Sequence, residues 1–308
     1  MTLALFITIL MTVAAAATPL LIAALGELVV EKSGVLNLGV EGMMLIGAVT
    51  GFAVASVTGM PAVGAIAAMG AGALAALIFA VLTLSLMANQ VATGLALTIF
   101  GTGVSALLGA PYVGITTTPL GPVFPDALAA DPIWRILFGH SPLVYAGLLL
   151  TLGVWWFLKH SRPGLILRAV GESDSAAHSI GYPVLKIRYL AVLFGGAMAG
   201  LGGCYYSLVL TPMWAERLTA GRGWIAIALV VFASWRPGRV LAGAYLFGAV
   251  ITLELQAKAA GLNFFAPELL ASLPYLATVL VLAIISAGRR GAGTAAPACL
   301  GQPFRASA

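Results

Sequence analysis

Long apolar segments dominate the pattern of this chain, and polar residues are confined to short stretches between them. The longest apolar runs reach about 20 residues, the length that a helix needs to cross a hydrocarbon core about 30 Å thick. In lipid each backbone N–H and C=O must be paired inside the protein, and segments this long achieve that as helices. A transmembrane β-barrel would need segments of about ten residues with alternating polarity, and the sequence has none. The pattern predicts an all-α, polytopic helical bundle.

Segment length predicts about 8–10 membrane spans. Residues 223–234 are short for a full crossing, which indicates a broken or re-entrant helix, or one that begins earlier. We interpret residues 1–290 as a single transmembrane domain and residues 291–308 as a disordered cytoplasmic tail. The candidate spans lie at about residues 3–25, 36–58, 61–87, 91–110, 142–158, 189–211, 223–234, 240–258 and 269–287.

The low share of charged residues excludes an ordinary soluble domain. The chain is 61% hydrophobic and 8% charged, whereas a soluble domain is about 25% charged because water covers its surface. The formal net charge is +5, but the basic residues lie in short connectors, as orientation in a bilayer requires, which argues against a nucleic-acid partner. No Lys or Arg precedes the first apolar run, so a cleaved signal peptide is not expected.

The positions of the basic residues predict which loops face the cytoplasm. Most Lys and Arg lie in residues 159–188, near Trp235 and in the tail, whereas residues 111–141 contain one Arg. With the basic loops inside, residues 111–141, 212–222 and 259–268 face outward, and the N-terminus also lies outside.

Glycines recur at a spacing that favours close helix packing. The pairs Gly47 and Gly51, and Gly196 and Gly200, each place two small residues on one helix face. In lipid such faces let helix backbones approach until van der Waals contact holds them together.

A polar break interrupts the apolar pattern at residues 33–45. Asn37 and Glu41 are four residues apart, so on a helix they would share a face, and the glycines around them would loosen that helix. A carboxylate at the start of an apolar run is costly unless it faces protein or water. Two interpretations stay open: a polar break beside a solute route, or an interfacial Glu41 that caps a helix start or pairs with Lys32.

A second polar group stands at the mouth of another apolar run. Asn89 and Gln90 begin it, and Thr93 follows within one helical turn. These side chains could hydrogen-bond a polar solute or only cap the helix, and capping is slightly favoured on general grounds.

The long basic loop contains the features of one short helix. Residues 173–175 suit a helix start, Ala176 and Ala177 are small, and Gly181 with a proline two residues later makes a stop. A small-residue face of this kind fits a groove on a partner protein. Composition alone favours a loop that only sets orientation.

The sequence predicts neither a catalytic site nor a metal site. Residues 26–33 have the spacing of a phosphate-binding loop, but Glu31 replaces the second glycine and no strand precedes it. The histidines and cysteines share no metal-ligand spacing. The chain is therefore not predicted to be an enzyme.

Taken together, these segments resemble the permease subunits of bacterial ABC importers in the branched-chain amino acid/ribose superfamily, especially the branch of nucleoside or simple-sugar permeases. The combination is specific, although no single phrase is, and it covers roughly residues 15–290 in family order. The phrases that carry it are Gly34–Gly42, Asn89–Gln90 with Gly94, Arg168–Glu172 and Ala197–Gly203.

The resemblance implies a multi-pass inner-membrane permease of an ATP-driven importer for a small polar solute, and the family branch favours a nucleoside over a simple sugar. It implies cytoplasmic ATPase subunits that carry ATP and Mg²⁺, a second and nonidentical permease subunit, and an extracytoplasmic solute-binding protein, with no cofactor on this chain. The alternative is an ion-driven secondary carrier, for which Glu41 and Glu254 would be the membrane carboxylates. The missing internal repeat and the cytoplasmic loop argue against that alternative.

The resemblance also assigns residues to two roles. Residues 172–181 are similar to a coupling helix that docks on the ATPase, although Ser175 and His178 depart from the family pattern. The translocation pathway is expected at Asn37, Glu41, Asn89, Gln90 and Thr93, and the coupling contact at Glu172, Ala176, Ala177 and Gly181.

Overall fold

The computed structural model describes residues 3–125, 128, 131–259 and 296–305, together with isolated residues between 260 and 295. Seven of the described helices are long and apolar enough to cross a membrane. The predicted all-α, polytopic bundle is therefore confirmed. The span predicted at 269–287 lies outside the described residues, apart from a few isolated positions.

The helices follow one another with short connections, except for an irregular stretch between α4 and α5. Helices α3 and α9 each end in a π-helical turn, at Val81–Ser85 and Tyr206–Leu210. In chain order the helices are α1 (Leu3–Lys32), α2 (Val40–Thr58), α3 (Pro61–Ala80), α4 (Gln90–Gly109), α5 (Pro132–Phe138), α6 (Pro142–His160), α7 (Arg162–Glu172), α8 (Asp174–Ser179), α9 (Val184–Tyr205), α10 (Arg222–Phe232) and α11 (Pro237–Ala259).

The end of α1 and the start of α2 differ from the predicted spans. Helix α1 continues to Lys32 instead of ending near residue 25, since Glu27 and Glu31 are buried against protein and not exposed to lipid. Helix α2 begins at Val40, because residues 33–39 form turns and an extended stretch that passes back along α1.

Helices α1, α2, α3 and α9 form the centre of the bundle, where glycines bring the backbones into contact. A Cβ added to Gly47 would lie 2.3 Å from the Gly200 Cα, and one added to Gly72 would lie 2.2 Å from the Gly196 carbonyl oxygen. No side chain fits at these crossings, so the helices meet through their main chains. The close packing predicted from the glycine spacing is confirmed.

The basic connectors, residues 159–188 and the turn around Trp235, lie beside the end of α1 at one end of the bundle, which we call the basic end. Helix α7 contacts the end of α1 here, since a Cβ added to Gly171 would lie 2.2 Å from the Lys32 carbonyl oxygen. The turn after α3 reaches the same end, where the Ser85 and Tyr189 hydroxyls are 2.6 Å apart. Helix α1 ends here at Lys32, so it begins at the opposite end of the bundle.

The prediction of a disordered tail is wrong for residues 296–305, which pack against the basic end. Cys299 and Phe304 are buried, and the Cys299 N–H donates to the Gly171 carbonyl oxygen at 3.0 Å. Leu300 also packs against the main apolar core, and the Arg188 Nη1 donates to the Gln302 carbonyl oxygen at 3.3 Å. Residues 291–295 and 306–308 lie outside the described residues.

Candidate functional site

The carboxylate of Glu41 holds the start of α10. Glu41 lies in the first turn of α2, and its Oε1 accepts hydrogen bonds from the Thr219 hydroxyl at 2.5 Å and the Gly221 N–H at 2.8 Å. Its Oε2 accepts from the Gly223 N–H at 2.6 Å. The first N–H groups of a helix have no intrahelical partner and carry partial positive charge, so a carboxylate is stabilised there. Glu41 therefore caps a helix distant in sequence.

Two glycines make this contact possible. Gly221 adopts a φ of +81°, which side chains disfavour, and it turns the chain into α10. At Gly223 a Cβ would lie 2.6 Å from the Glu41 Cα and 2.7 Å from its Oε2. The Gly223 N–H can approach the carboxylate because this position carries no side chain, and Gly221 supplies the left-handed turn before it.

The capped helix start lies inside the bundle. Gly42 packs against α4 so closely that an added Cβ would be 2.5 Å from the Leu97 carbonyl oxygen, and Leu97 is about two turns beyond Gln90. From this depth α10 runs to the basic end, where the Trp235 indole N–H donates to Glu31 Oε2 at 2.6 Å. Helix α10 thus crosses only part of the bundle, as the short span predicted.

Asn37 lies in the segment before α2 and not on a helix, so the expectation that it shares a helical face with Glu41 is wrong. Its backbone N–H donates to Glu27 Oε1 at 3.2 Å, and its Nδ2 donates to Glu27 Oε2 at 3.5 Å. Its own Oδ1 accepts from the Gly39 N–H at 2.9 Å. Asn37 therefore fixes the non-helical segment against α1 and orients the start of α2.

The amide residues at the start of α4 have different environments. The Asn89 Oδ1 accepts from the Ala92 N–H at 2.9 Å, so this exposed side chain caps α4. The buried Gln90 reaches the segment before α2, where its Oε1 accepts from the Leu36 N–H at 2.7 Å. The Gln90 Nε2 has no hydrogen-bond partner in the part of the chain that the structure describes. Thr93 is half-buried one turn further along α4.

Two buried carboxylates on α1 were missed by the sequence analysis. Glu27 contacts Asn37, and Glu31 contacts Trp235, so both lie on one face of α1 directed into the bundle. Glu31 had been used only to exclude a phosphate-binding loop. Their spacing of four residues at the end of a long apolar run was the available signal, because it marks one helix face.

The two membrane carboxylates that an ion-driven carrier would use both have partners within the protein. Glu41 caps α10, and Glu254 forms an ion pair with Lys258 one turn further along α11, at 2.7 Å. Glu41 thus takes the capping role that one interpretation gave it, but on a distant helix.

The predicted coupling segment contains one short helix preceded by a break. Glu172 ends α7, and the Ser173 Oγ then caps α8 by accepting from the Ala176 N–H at 3.3 Å. Gly181 terminates this region with a φ of +92°. Glu172, Ala176 and Gly181 are exposed, whereas Ala177 is buried and faces the protein itself. The small-residue face is therefore narrower than expected.

Comparisons with known proteins agree with this architecture. Residues 9–287 match the family described as branched-chain amino acid transport system, permease component. A Haloferax volcanii protein provisionally named as a glucose ABC transporter permease is 40% identical, and the alignment covers 94% of each chain. A guanosine ABC transporter permease of Bacillus subtilis is 32% identical over 67% of both chains. A nucleoside ABC transporter permease of Lactococcus lactis is 28% identical, again over 67% of both.

Proposed function

Because this chain belongs to the permease family of branched-chain amino acid transport systems, we propose that it is the membrane subunit through which an ATP-driven importer moves a small polar solute containing a sugar ring. The observation that carries the proposal is the polar junction inside an apolar bundle, where α10 begins beside Glu41. Short helices that start within the membrane border the solute sites of many transporters. The chain itself is proposed to do no chemistry.

The proposed solute follows from what the similar proteins are named for. Glucose is itself a sugar, and guanosine and other nucleosides carry ribose, so a sugar ring is common to all three names. Each hydroxyl group of such a ring can donate one hydrogen bond and accept others, so polar side chains along the route could bind it. The proposed route passes Asn37, Glu41, Asn89, Gln90 and Thr93. Among the described residues the Gln90 Nε2 has no hydrogen-bond partner, so it is the donor that we propose for a solute hydroxyl.

Uptake by the complete importer tests the solute class. Cells that express all subunits should take up labelled glucose or labelled guanosine saturably, and the matching unlabelled solute should compete. Labelled leucine serves as the control, because the family as a whole is described by branched-chain amino acids. Saturable uptake of leucine with neither sugar-containing solute would refute the proposal.

The partners are likewise proposed from the family and from the names of the similar proteins, which are ABC transporter permeases. ATP and Mg²⁺ would be held by separate cytoplasmic ATPase subunits, and an extracytoplasmic protein would deliver the solute. We also propose a second, nonidentical permease subunit. To test this, two differently tagged copies of this chain are co-expressed with that second permease, and the complex is purified through one tag. If each complex contains one copy of this chain, the other tag should be absent from the purified material. Recovery of both tags together would show a homodimer instead.

We expect Ala176→Asp to reduce ATP-driven uptake by about tenfold or more while the chain still inserts and folds. The exposed Ala176 lies on α8, and a charge pressed against a partner without a counter-charge costs about 3 kcal/mol or more. Uptake and co-purification with the ATPase measure the effect. The control is Gly238→Asp, because Gly238 is exposed at the start of α11 and nothing lies within 4 Å of an added Cβ. Normal assembly and transport by Ala176→Asp would contradict the coupling assignment.

A further inference from the structure

Residues 296–305, which we call the C-terminal clip, connect two parts of the basic end that are far apart in sequence. The Cys299 N–H donates to the Gly171 carbonyl oxygen at 3.0 Å, which fixes the clip to the end of α7. The Gly301 N–H donates to the Gly34 carbonyl oxygen at 3.1 Å, which fixes it to the turn after α1. The clip therefore spans from the helix before α8 to the segment that leads into α2.

The clip also supports α8 directly. Phe304 is buried in a cluster with Ala177 on the inner side of α8 and with two valines of the flanking helices. Its ring meets the His178 ring edge-on, with centroids 5.4 Å apart. Because α8 has only six residues, it cannot hold its own position by backbone hydrogen bonds alone. Its placement depends on these side-chain contacts.

Arg188, in the second turn of α9, is the point where these parts meet. Its side chain is fully buried, and Nη2 lies 3.1 Å from Asp174 Oδ2 at the start of α8. Its Nε donates to the Ser33 carbonyl oxygen at 3.1 Å, and its Nη1 donates to the Gln302 carbonyl oxygen at 3.3 Å. A buried guanidinium is tolerated only when its donors and its charge are matched. The arrangement is therefore fixed rather than incidental.

A continuous set of contacts leads from α8 to the capped start of α10. Arg188 joins Asp174 to Ser33, and the segment that begins there reaches Gln90 through Leu36 and Glu27 through Asn37. The same segment ends at α2, whose first turn carries Glu41. A displacement of α8 would thus act on the polar junction through side chains of this chain.

We propose that Arg188, Asp174 and the C-terminal clip are positioning groups that transmit movement of α8 to the segment before α2. This proposal rests on the proposed function, since it assumes that the ATPase moves α8. Arg188 touches no solute and acts through Ser33 and the segment that follows it. The clip keeps α8 and that segment at a fixed separation, so that movement is transferred and not absorbed locally.

The test compares solute transported per ATP hydrolysed in the complete importer reconstituted in vesicles. Asp174→Ala should keep the complex assembled and lower this ratio by about fivefold, a size within the range of measured coupling energies. Asp174→Asn keeps an acceptor oxygen for Arg188 and should retain most of the ratio. Asp131→Ala is the matched control, since Asp131 is exposed and caps α5 away from this contact. Phe304→Ala should lower the ratio as Asp174→Ala does.

Three other outcomes would each overturn the proposal. A ratio equal to wild type in both Asp174→Ala and Phe304→Ala would overturn the proposal. Loss of ATPase subunits from the Asp174→Ala complex, with a normal ratio in the complexes that remain, would assign these groups to assembly and also overturn it. A wild-type complex whose ATP hydrolysis drives no uptake at all would refute the proposed function, and this inference with it.

Discussion

Glu41→Ala should abolish uptake and destabilise the subunit by about 3 kcal/mol or more, because each buried donor left without a partner costs about 1–3 kcal/mol. The substitution removes the acceptor for the Thr219 hydroxyl and for the N–H groups of Gly221 and Gly223. Water cannot easily replace it, since Glu41 is buried within the bundle. The start of α10 should therefore unwind. Thermal unfolding in detergent and uptake by the whole importer measure the two effects.

Two further variants separate capping from a loss of charge alone. Glu41→Gln keeps one acceptor oxygen but directs an NH₂ group at the N–H donors of α10, so its unfolding temperature should lie between those of wild type and alanine. Glu216→Ala removes an exposed carboxylate from the same connection before α10 and should behave as wild type. A Glu41→Ala protein that melts and transports normally would show that the cap is dispensable.

Gly72→Ala should separate α3 from α9 and destabilise the protein by about 1–3 kcal/mol or more. Its Cβ would lie 2.2 Å from the Gly196 carbonyl oxygen and 2.9 Å from the Gly200 Cα, which are all main-chain atoms that cannot rotate away. The helices must therefore move apart along their whole contact. Unfolding temperature in detergent and the yield of folded protein measure this change.

Gly70→Ala is the matched control on the same helix. Gly70 is exposed, and nothing lies within 4 Å of a Cβ added there. Alanine favours a helix over glycine by about 1 kcal/mol, so this variant should be neutral or slightly more stable. Equal stability of the Gly72→Ala and Gly70→Ala proteins would disprove close packing between α3 and α9.

The bundle and its central packing could be predicted because both depend on local sequence. Apolar runs of sufficient length determine helices in lipid regardless of their neighbours. The spacing of Gly196 and Gly200 marks a helix face before the partner helix is known. The short span at 223–234 likewise predicted that α10 is incomplete. In each case a property of one segment was sufficient.

The candidate site depends on contacts that no single segment reveals. The partners of Glu41 lie about 180 positions later in the chain, and Arg188 combines groups from both ends of the sequence. Asn37 was placed on a helix because glycines alone do not show where a helix begins. Glu27 and Glu31 were overlooked because the first span was ended too early. Such contacts are decided by tertiary packing, which periodicity does not encode.

The cap on α10 has a consequence for which nutrients can pass. Carriers of anions often leave the positive end of a half-helix open, so that a carboxylate or phosphate of the cargo can bind there. In this protein Glu41 already fills that position. A phosphorylated sugar or a nucleotide would meet a negative charge in place of free N–H groups. If the proposed solute route passes this junction, we expect such phosphorylated compounds to be poorer solutes than their uncharged counterparts.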